Sequence, residues 1–574
     1  MKGIKKRFLT GMVTVLALSS LAACSGKSGN EAVRETNPAA SASSVSSNDS
    51  GSAEANGETA PFKNGKYDPP IPINIAVDVG DDIQYFNGET AEKNILFDQT
   101  KANLGLDIHV LWTAPGKNDG FKTKLLLSLA SGEKLPDVVF TGGDSELMNQ
   151  LIDSGKFMAL NDSIDKYASE DIKRVYNENP DLFLPVTRDG KAMALPIPIF
   201  GPNSPPLMYI RQDWLDKLSL KAPTNMDELE QVMDAFVNKD PDGNNKKDTY
   251  GAAVQLKNPG GDIFADATAL FGAYGAIPGI WRKSEDGQSL SYDSVQPGMK
   301  TALGKFHDWL SKGYISKDAA QQDGGTATQL FTSGKAGIVF GPNWFPYFPL
   351  PDLEKNVPGA KYKVYPIPAG PDGKAERRAM SIFGGALLIN KDYAHPDAVF
   401  KYAQAMYDMA RDGQVWGLTR DFLMNNGYQA QGSYFQVSKY GFLPNYFVDP
   451  WYQIDGYLDY MKEGKPGRSP SEQEGFDTCQ KNPLCINGQI ESMSTWRAQK
   501  DADVISAFAG PTTETQKTQG DYLYKMEYET MIKIIYGTTP IDGFDAFVEK
   551  WKSSGGDKIT QEVNDWYTKN VLKK

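Results

Sequence analysis

Residues 106–144 read LDIHVLWTAPGKNDGFKTKLLLSLASGEKLPDVVFTGGD, and they decide the fold class. Leu106, Ile108, Val110 and Trp112 alternate with other residues, the period-two pattern of a half-buried strand. Phe121, Leu125 and Leu129 recur every four residues on one helix face, and Gly132 supplies the stop. Leu135 to Phe140 is a short apolar run of the buried-strand kind. Upstream, Ile71, Ile73, Ile75, Val77 and Val79 predict another strand. Strand, helix and strand in this order imply an α/β fold with a parallel sheet and right-handed crossovers. Ligands of such sheets sit outside the carboxyl ends of the strands. Asp144 falls just past such an end and is a candidate ligand residue; capping the next helix is its alternative role.

Further along, helices dominate. Thr224 and Asp227 resemble a capping box ahead of Leu229, Val232, Met233 and Phe236. Met299, Leu303, Phe306 and Leu310 form an apolar stripe, and Pro396 stands where a first helical residue would. A chain of 574 residues exceeds what one core organises, so at least two lobes are expected.

The N-terminus reads as an address. Lys2, Lys5, Lys6 and Arg7 precede an apolar stretch from Phe8 to Ala22, too short for a comfortable membrane span. Leu21-Ala22-Ala23-Cys24 resembles a bacterial lipobox, which implies a leader over residues 1–23 and a lipid on Cys24. A lipid anchors a protein to a membrane without spanning it. Residues 25–60 lack Leu, Ile, Met, Phe, Tyr and Trp, so residues 24–67 are read as a flexible tether. Loss of the basic leader moves the formal charge from −12 to −16. That acidity argues against nucleic acid as a partner, because phosphate binding needs a basic footprint. Three His and three Cys leave little for zinc, haem or iron–sulfur chemistry. Cys479 and Cys485 are a candidate disulfide, worth about 2–2.5 kcal/mol by loop-closure entropy.

Several segments resemble the extracellular solute-binding lipoproteins of ABC importers, the group that includes maltose-binding protein, and within it a long branch found in Bacillus and Paenibacillus relatives. They are Ser131 to Asp137, Gly190 to Pro196, Tyr209 to Leu215, Phe331 to Gly337 with the following Gly341-Pro342-Asn343-Trp344, and Phe544 to Asn564. Their order and spacing over some 500 residues carry the likeness. The resemblance implies a type II two-lobed α/β fold closing on ligand by hinge bending, with a membrane permease as partner. It places the first lobe over 68–199 and 362–408, and the second over 200–361 and 409–574. It also implies a monomer outside the cytoplasm. No GxxxxGK[ST] loop is present, so transport energy would come from a separate ATPase.

An oligosaccharide is the expected ligand. Sugar rings offer apolar faces and hydroxyl rims, which aromatic platforms and polar side chains match. Tyr, Phe and Trp make up 11% of the chain, and this surplus suits that need. Trp344 is the leading candidate, where maltose-binding relatives place a stacking Trp. Trp281, with Tyr274 in the stretch before it, and Trp416 follow. Arg211 is read as bonding a ligand hydroxyl or carboxylate, or else as bracing the hinge.

The run Asp240-Pro241-Asp242-Gly243-Asn244-Asn245-Lys246-Lys247-Asp248 places oxygens in the EF-hand rhythm: Asp240, Asp242, Asn244, the Lys246 carbonyl and Asp248. It resembles the calcium loop of alginate-binding relatives, with Thr249 where those carry another acid. A structural Ca2+ is the expectation; a plain Asx-rich turn is the alternative. A secreted glycosidase or lyase is the rival class, although GxSxG and HExxH are absent and His109, His307 and His395 are scattered. A receptor feeding a sensor kinase is a third reading.

Overall fold

A computed structural model describes residues 62–80, 83–115, 119–199, 205–412, 415–428, 440–443, 462–463, 479 and 482–572. The lipobox Cys24 and the leader lie outside these residues. Structure starts earlier than the tether reading allows: Phe62–Lys63 pairs antiparallel with Lys66–Tyr67, and Tyr67 is buried with its hydroxyl donating to Asp397.

In the first lobe, β1 (Ile71–Val79) lies parallel to β2 (Leu106–Pro115), with Ile71 opposite Leu106. The helix Ile95–Leu104 makes the crossover and ends at Gly105. A Cβ at Gly105 would lie 2.1 Å from the Tyr67 carbonyl oxygen, so glycine alone fits. The expected helix spans Gly120–Ser131, and β3 (Val138–Phe140) follows. The Asp137 carboxylate accepts from the Asn74 backbone N–H at 2.6 Å and from its amide at 2.7 Å, tying β3 to β1. Then comes β4 (Leu195–Pro198).

The chain crosses to the second lobe with β5 (Leu207–Arg211), β6 (Tyr250–Ala253), β7 (Ala336–Gly341) and β8 (Tyr362–Tyr365), which form a sheet in the order β6-β7-β5-β8. It returns with β9 (Phe383–Ile389), which inserts between β3 and β4. The expectation of parallel sheets holds for β1–β2 and β6–β7. β9 runs antiparallel to β3 and β4, and β5 runs antiparallel to β7 and β8. The reason is entry direction: β5 and β9 arrive from the opposite lobe, whereas strands fed by crossover helices start at the far edge.

Register locates the hinge edges. The end of β4, Pro198, faces the start of β9, Phe383; the start of β5, Leu207, faces Gly341, the last residue of β7. The crossing segments therefore leave from the edge where β3, β4 and β7 end. Loops after those strands sit at the interlobe side.

The β3-β9-β4 and β6-β7-β5-β8 sheets are each covered on both faces, as α/β layers require. Leu387 and Ile389 of β9 point into one apolar cluster with Ile73, Leu106 and Tyr402; Ala386 and Leu388 point into another with Leu125 and Leu151. In β5, Met208 and Ile210 face one cluster and Leu207 and Tyr209 the other. The predicted stripes fall on the helices Pro297–Lys312 and Pro396–Asp412. The cap ahead of Leu229 sits one residue later than expected. Asn225 accepts from the Glu228 N–H, and the Glu228 carboxylate accepts from Thr224. Among the described residues no helix is long and apolar enough to cross a membrane.

The lobe boundaries differ from the expected ones in two places. Residues 362–365 form β8 on the edge of the second lobe's sheet, Tyr362 opposite Arg211. Met409, Val415, Leu418, Leu423, Tyr440 and Leu443 seal the first lobe's core rather than the second's.

Candidate ligand-binding site

In the first lobe a cavity of about 420 Å³ opens at the carboxyl ends of β1 and β3, lined by Asp78, Phe121, Lys122, Thr141, Asp144 and Phe442 among others. Asp144 takes both roles open to it. One oxygen accepts from the Leu147 N–H at 2.8 Å, capping the helix Ser145–Asp153, while the carboxylate also faces the cavity. Lys122 lies 3.2 Å from Asp144 and 2.7 Å from Glu146; hydrogen bonding to Glu146, then to Asp144, pushes its pKa up. The cavity thus has an aromatic wall and a fixed carboxylate and ammonium. The bulge in β9 supports its floor. Gly385 holds φ +138°, and a Cβ there would sit 2.2 Å from the carbonyl oxygen of Gly142 in the lining loop. A larger cavity of about 750 Å³ is walled by residues such as Asp189, Gly190 and Lys569, away from the strand ends.

In the second lobe the loop after β7 carries Trp344, half-buried, beside Tyr347 and the 54% exposed Phe348. Phe264, from the loop after β6, packs 5.4 Å from Trp344, 5.1 Å from Phe345 and 6.2 Å from Phe348. Phe345 is buried and anchors the group to the core. The result is an aromatic shelf on the hinge edge.

The other candidates fall elsewhere. Trp281 is 5% exposed and packs in the second core against Tyr292 and Phe508 at 5.1 and 6.4 Å. Tyr274 packs against the same core, and burial pushes its hydroxyl pKa up. Trp416 holds a left-handed φ of +50° and leans on the first core. Arg211 is 2% exposed, clasps Asp213 through two bonds of 2.8 and 2.6 Å and stacks on Trp214. It braces the turn out of β5 and does not line the first-lobe cavity. Lys122 and Phe442 carry no local sequence signal of a site, and Phe121 reads from sequence only as a helix-face residue. The one signal for Phe264 is its place near the Gly-rich run 259–261 after a strand.

The oxygens of the 240–248 run do gather. The Asn244 amide donates to Asp242 at 2.7 Å and Asp248 at 3.0 Å, and Asp240 accepts from the Asn244 and Asn245 N–H groups. Lys335 pairs with Asp248 at 2.7 Å. Burial, then the neighbouring Asp240 and Asp248, push the Asp242 carboxyl up, the strain of acids held close. Among the described residues no three His, Cys, Asp or Glu side chains converge tightly enough to hold a metal by themselves. The donor set therefore fits a hard cation only with the Asn244 and backbone oxygens added. Cys479 and Cys485, both buried, are joined in a disulfide with Cα atoms 5.0 Å apart.

Two sheet lobes joined at facing strand ends, with polar cavity and aromatic shelf on the hinge side, define a two-lobed solute-binding fold. The family model for bacterial extracellular solute-binding proteins matches residues 86–410, and the chain belongs to that family. It is 27% identical over 456 residues to the polygalacturonan/rhamnogalacturonan-binding protein YtcQ of Bacillus subtilis, covering 77% of this chain and 82% of that one. It is also 27% identical over 488 residues to the fructooligosaccharide ABC transporter substrate-binding protein FusA of Streptococcus pneumoniae, covering 81% and 85%. A solute-binding protein from Bifidobacterium longum infantis, described as HMO-binding and ABC-transporter associated, superimposes with a TM-score of 0.60 at 16% identity, over 87% of this chain and 99% of that one. A family of this description works outside the cytoplasm, and its members are binding proteins.

Proposed function

We propose that the protein captures an oligosaccharide between its lobes and hands it to the membrane permease of an ABC importer, without turning it over. The aromatic shelf of Trp344, Phe264 and Phe348 on the hinge edge carries this reading. A stacked ring buries its C–H face there while the acid and ammonium groups across the hinge bond its hydroxyls. Relatives named for binding polygalacturonan/rhamnogalacturonan and for fructooligosaccharide transport support it. The test is a calorimetric and thermal-shift screen over neutral and acidic oligosaccharides, with product analysis alongside. A saturable rise in melting temperature with unchanged sugar is expected. New products, or no shift with any oligosaccharide, would overturn the proposal.

The working form is a monomer held on the extracytoplasmic face of the cell membrane by a lipid on Cys24. Cys24→Ser should move the protein from the membrane fraction to the medium, and retention on the membrane would sink the anchor. The 240–248 loop holds a structural Ca2+ through Asp240, Asp242, Asn244, Asp248 and the Lys246 carbonyl. Calcium at a hundredfold excess over its Kd should then stabilise the protein by about 2.7 kcal/mol. EDTA should remove that gain, and Asp240→Asn should abolish it. A melting temperature indifferent to calcium would leave the loop as a turn.

A further inference from the structure

The charges around the first-lobe cavity are one-sided. Among its described lining residues, Asp78, Asp119 and Asp144 are acids and Lys122 is the one cation. Asp78 stands near the carboxyl end of β1, and Asp119 directly precedes the helix Gly120–Ser131. Glu146, in the first turn of the helix Ser145–Asp153, adds a fourth acid beside Lys122. Across the hinge the shelf rings carry no charge. Asp262 accepts from the Phe264 N–H at 3.1 Å and so places a further acid beside them.

Lys122 is already committed. Its Nζ lies 2.7 Å from Glu146 and 3.2 Å from Asp144, so one ammonium serves two carboxylates. A helix N-terminus draws anions, but both of those at the cavity carry acids of their own: Asp119 at one, Asp144 and Glu146 at the other. A ligand carboxylate would therefore compete with two fixed acids for the one cation and meet Asp78 and Asp119 as like charges. Lobe closure excludes water, which strengthens that repulsion. Hydroxyls meet the opposite situation. An ionised carboxylate accepts at about four lone-pair sites, so Asp144 can still accept after taking the Leu147 N–H and the Lys122 ammonium. Sugar hydroxyls are donors, and an acid-rich wall supplies their acceptors.

We infer that the protein selects uncharged oligosaccharides over uronate chains, and that Glu146 sets this selection by keeping Lys122 engaged. The inference rests on the sugar-binding reading and specifies which sugars that site takes. Glu146 is a positioning residue: it does not line the cavity and acts through the Lys122 ammonium. Its neutralisation leaves Lys122 with Asp144 alone and removes one negative charge from beside the cavity. Both changes favour a ligand carboxylate and leave the acceptors for hydroxyls in place.

The test is calorimetry at neutral pH and low salt with kestose, maltotriose, cellotriose, xylotriose and trigalacturonate, on wild type, Glu146→Gln and Glu146→Lys. The Glu146 side chain is 52% exposed, so both variants should fold. At least one neutral trisaccharide should bind wild type, about 10-fold or more tightly than trigalacturonate does. Trigalacturonate affinity should rise about 3-fold in Glu146→Gln and further in Glu146→Lys, with the neutral sugar unchanged. A purely structural role would weaken every sugar alike. Trigalacturonate binding wild type as tightly as the neutral sugars, or more tightly, would overturn the selection and leave the sugar reading standing. No rise for trigalacturonate in either variant would overturn the role of Glu146. Binding of none of the five would overturn the sugar reading and this inference with it.

Discussion

Arg377→Ala should lower stability by about 3–5 kcal/mol, the cost of stripping one partner from a buried pair. Arg377 is fully buried and its Nε donates to Asp503 at 2.6 Å. Its other nitrogens donate to the carbonyls of Pro206 at 3.3 Å and Gln499 at 3.1 Å. One side chain thus fastens the entry to β5, the run-up to β9 and the segment 499–503. Burial pushes the Asp503 carboxyl up while Arg377 pulls it down. Without the guanidinium, Asp503, whose side chain is 16% exposed, is left as a largely desolvated acid that keeps the Trp496 indole at 3.2 Å as a hydrogen-bond partner. Urea unfolding followed by tryptophan fluorescence reads the loss. The double variant Arg377→Met with Asp503→Leu should recover most of it, because an apolar pair leaves no stranded charge. A single variant within about 1 kcal/mol of wild type would mean that the carbonyl and ion-pair contacts contribute little.

Trp344→Ala should weaken oligosaccharide binding about 10- to 100-fold, equivalent to about 1.5–3 kcal/mol of lost aromatic burial. The unliganded protein should be almost as stable as before. Trp344 is half-buried, and Phe345 beside it keeps the loop rooted in the core. Trp344→Phe should retain part of the affinity, since a smaller flat ring remains. An affinity unchanged by Trp344→Ala would take the shelf out of the site. Trp281→Ala makes the contrast: its ring is wedged between Tyr292 and Phe508, so it should cost stability before it costs binding.

Elements written in local pattern were legible in the sequence. The alternation at Ile71 to Val79 and the stripe through Met299, Leu303, Phe306 and Leu310 state their structure within a dozen residues. The loop after β7 was legible too, because a strand end followed by Gly-Pro-Asn-Trp limits where the Trp can go. Long-range convergence was not legible. Tyr362 to Tyr365 alternates equally well for either sheet, and only its pairing with β5, some 150 residues upstream, assigns it to the second lobe. Trp281 and Trp344 look alike in sequence, and distant Phe508 and nearby Phe264 decide which is core and which is shelf. Asp144 shows the limit of choosing between roles, since its carboxylate caps a helix with one oxygen and still lines the cavity.

The position of β9 bears on how the chain is made. Ribosomes and export channels release a polypeptide from its N-terminus, and β3 and β4 emerge long before the strand that joins them. All four strands of the other lobe are complete before Phe383 appears. Until then, Val139, Leu195 and their neighbours have no central strand to cover them. The first lobe to be synthesised therefore waits for β9 before it can close, and its unpaired edges stay open to wrong partners for that interval. Substitutions that loosen β9 should harm secretion yield more than equal losses of stability placed in β6 or β7.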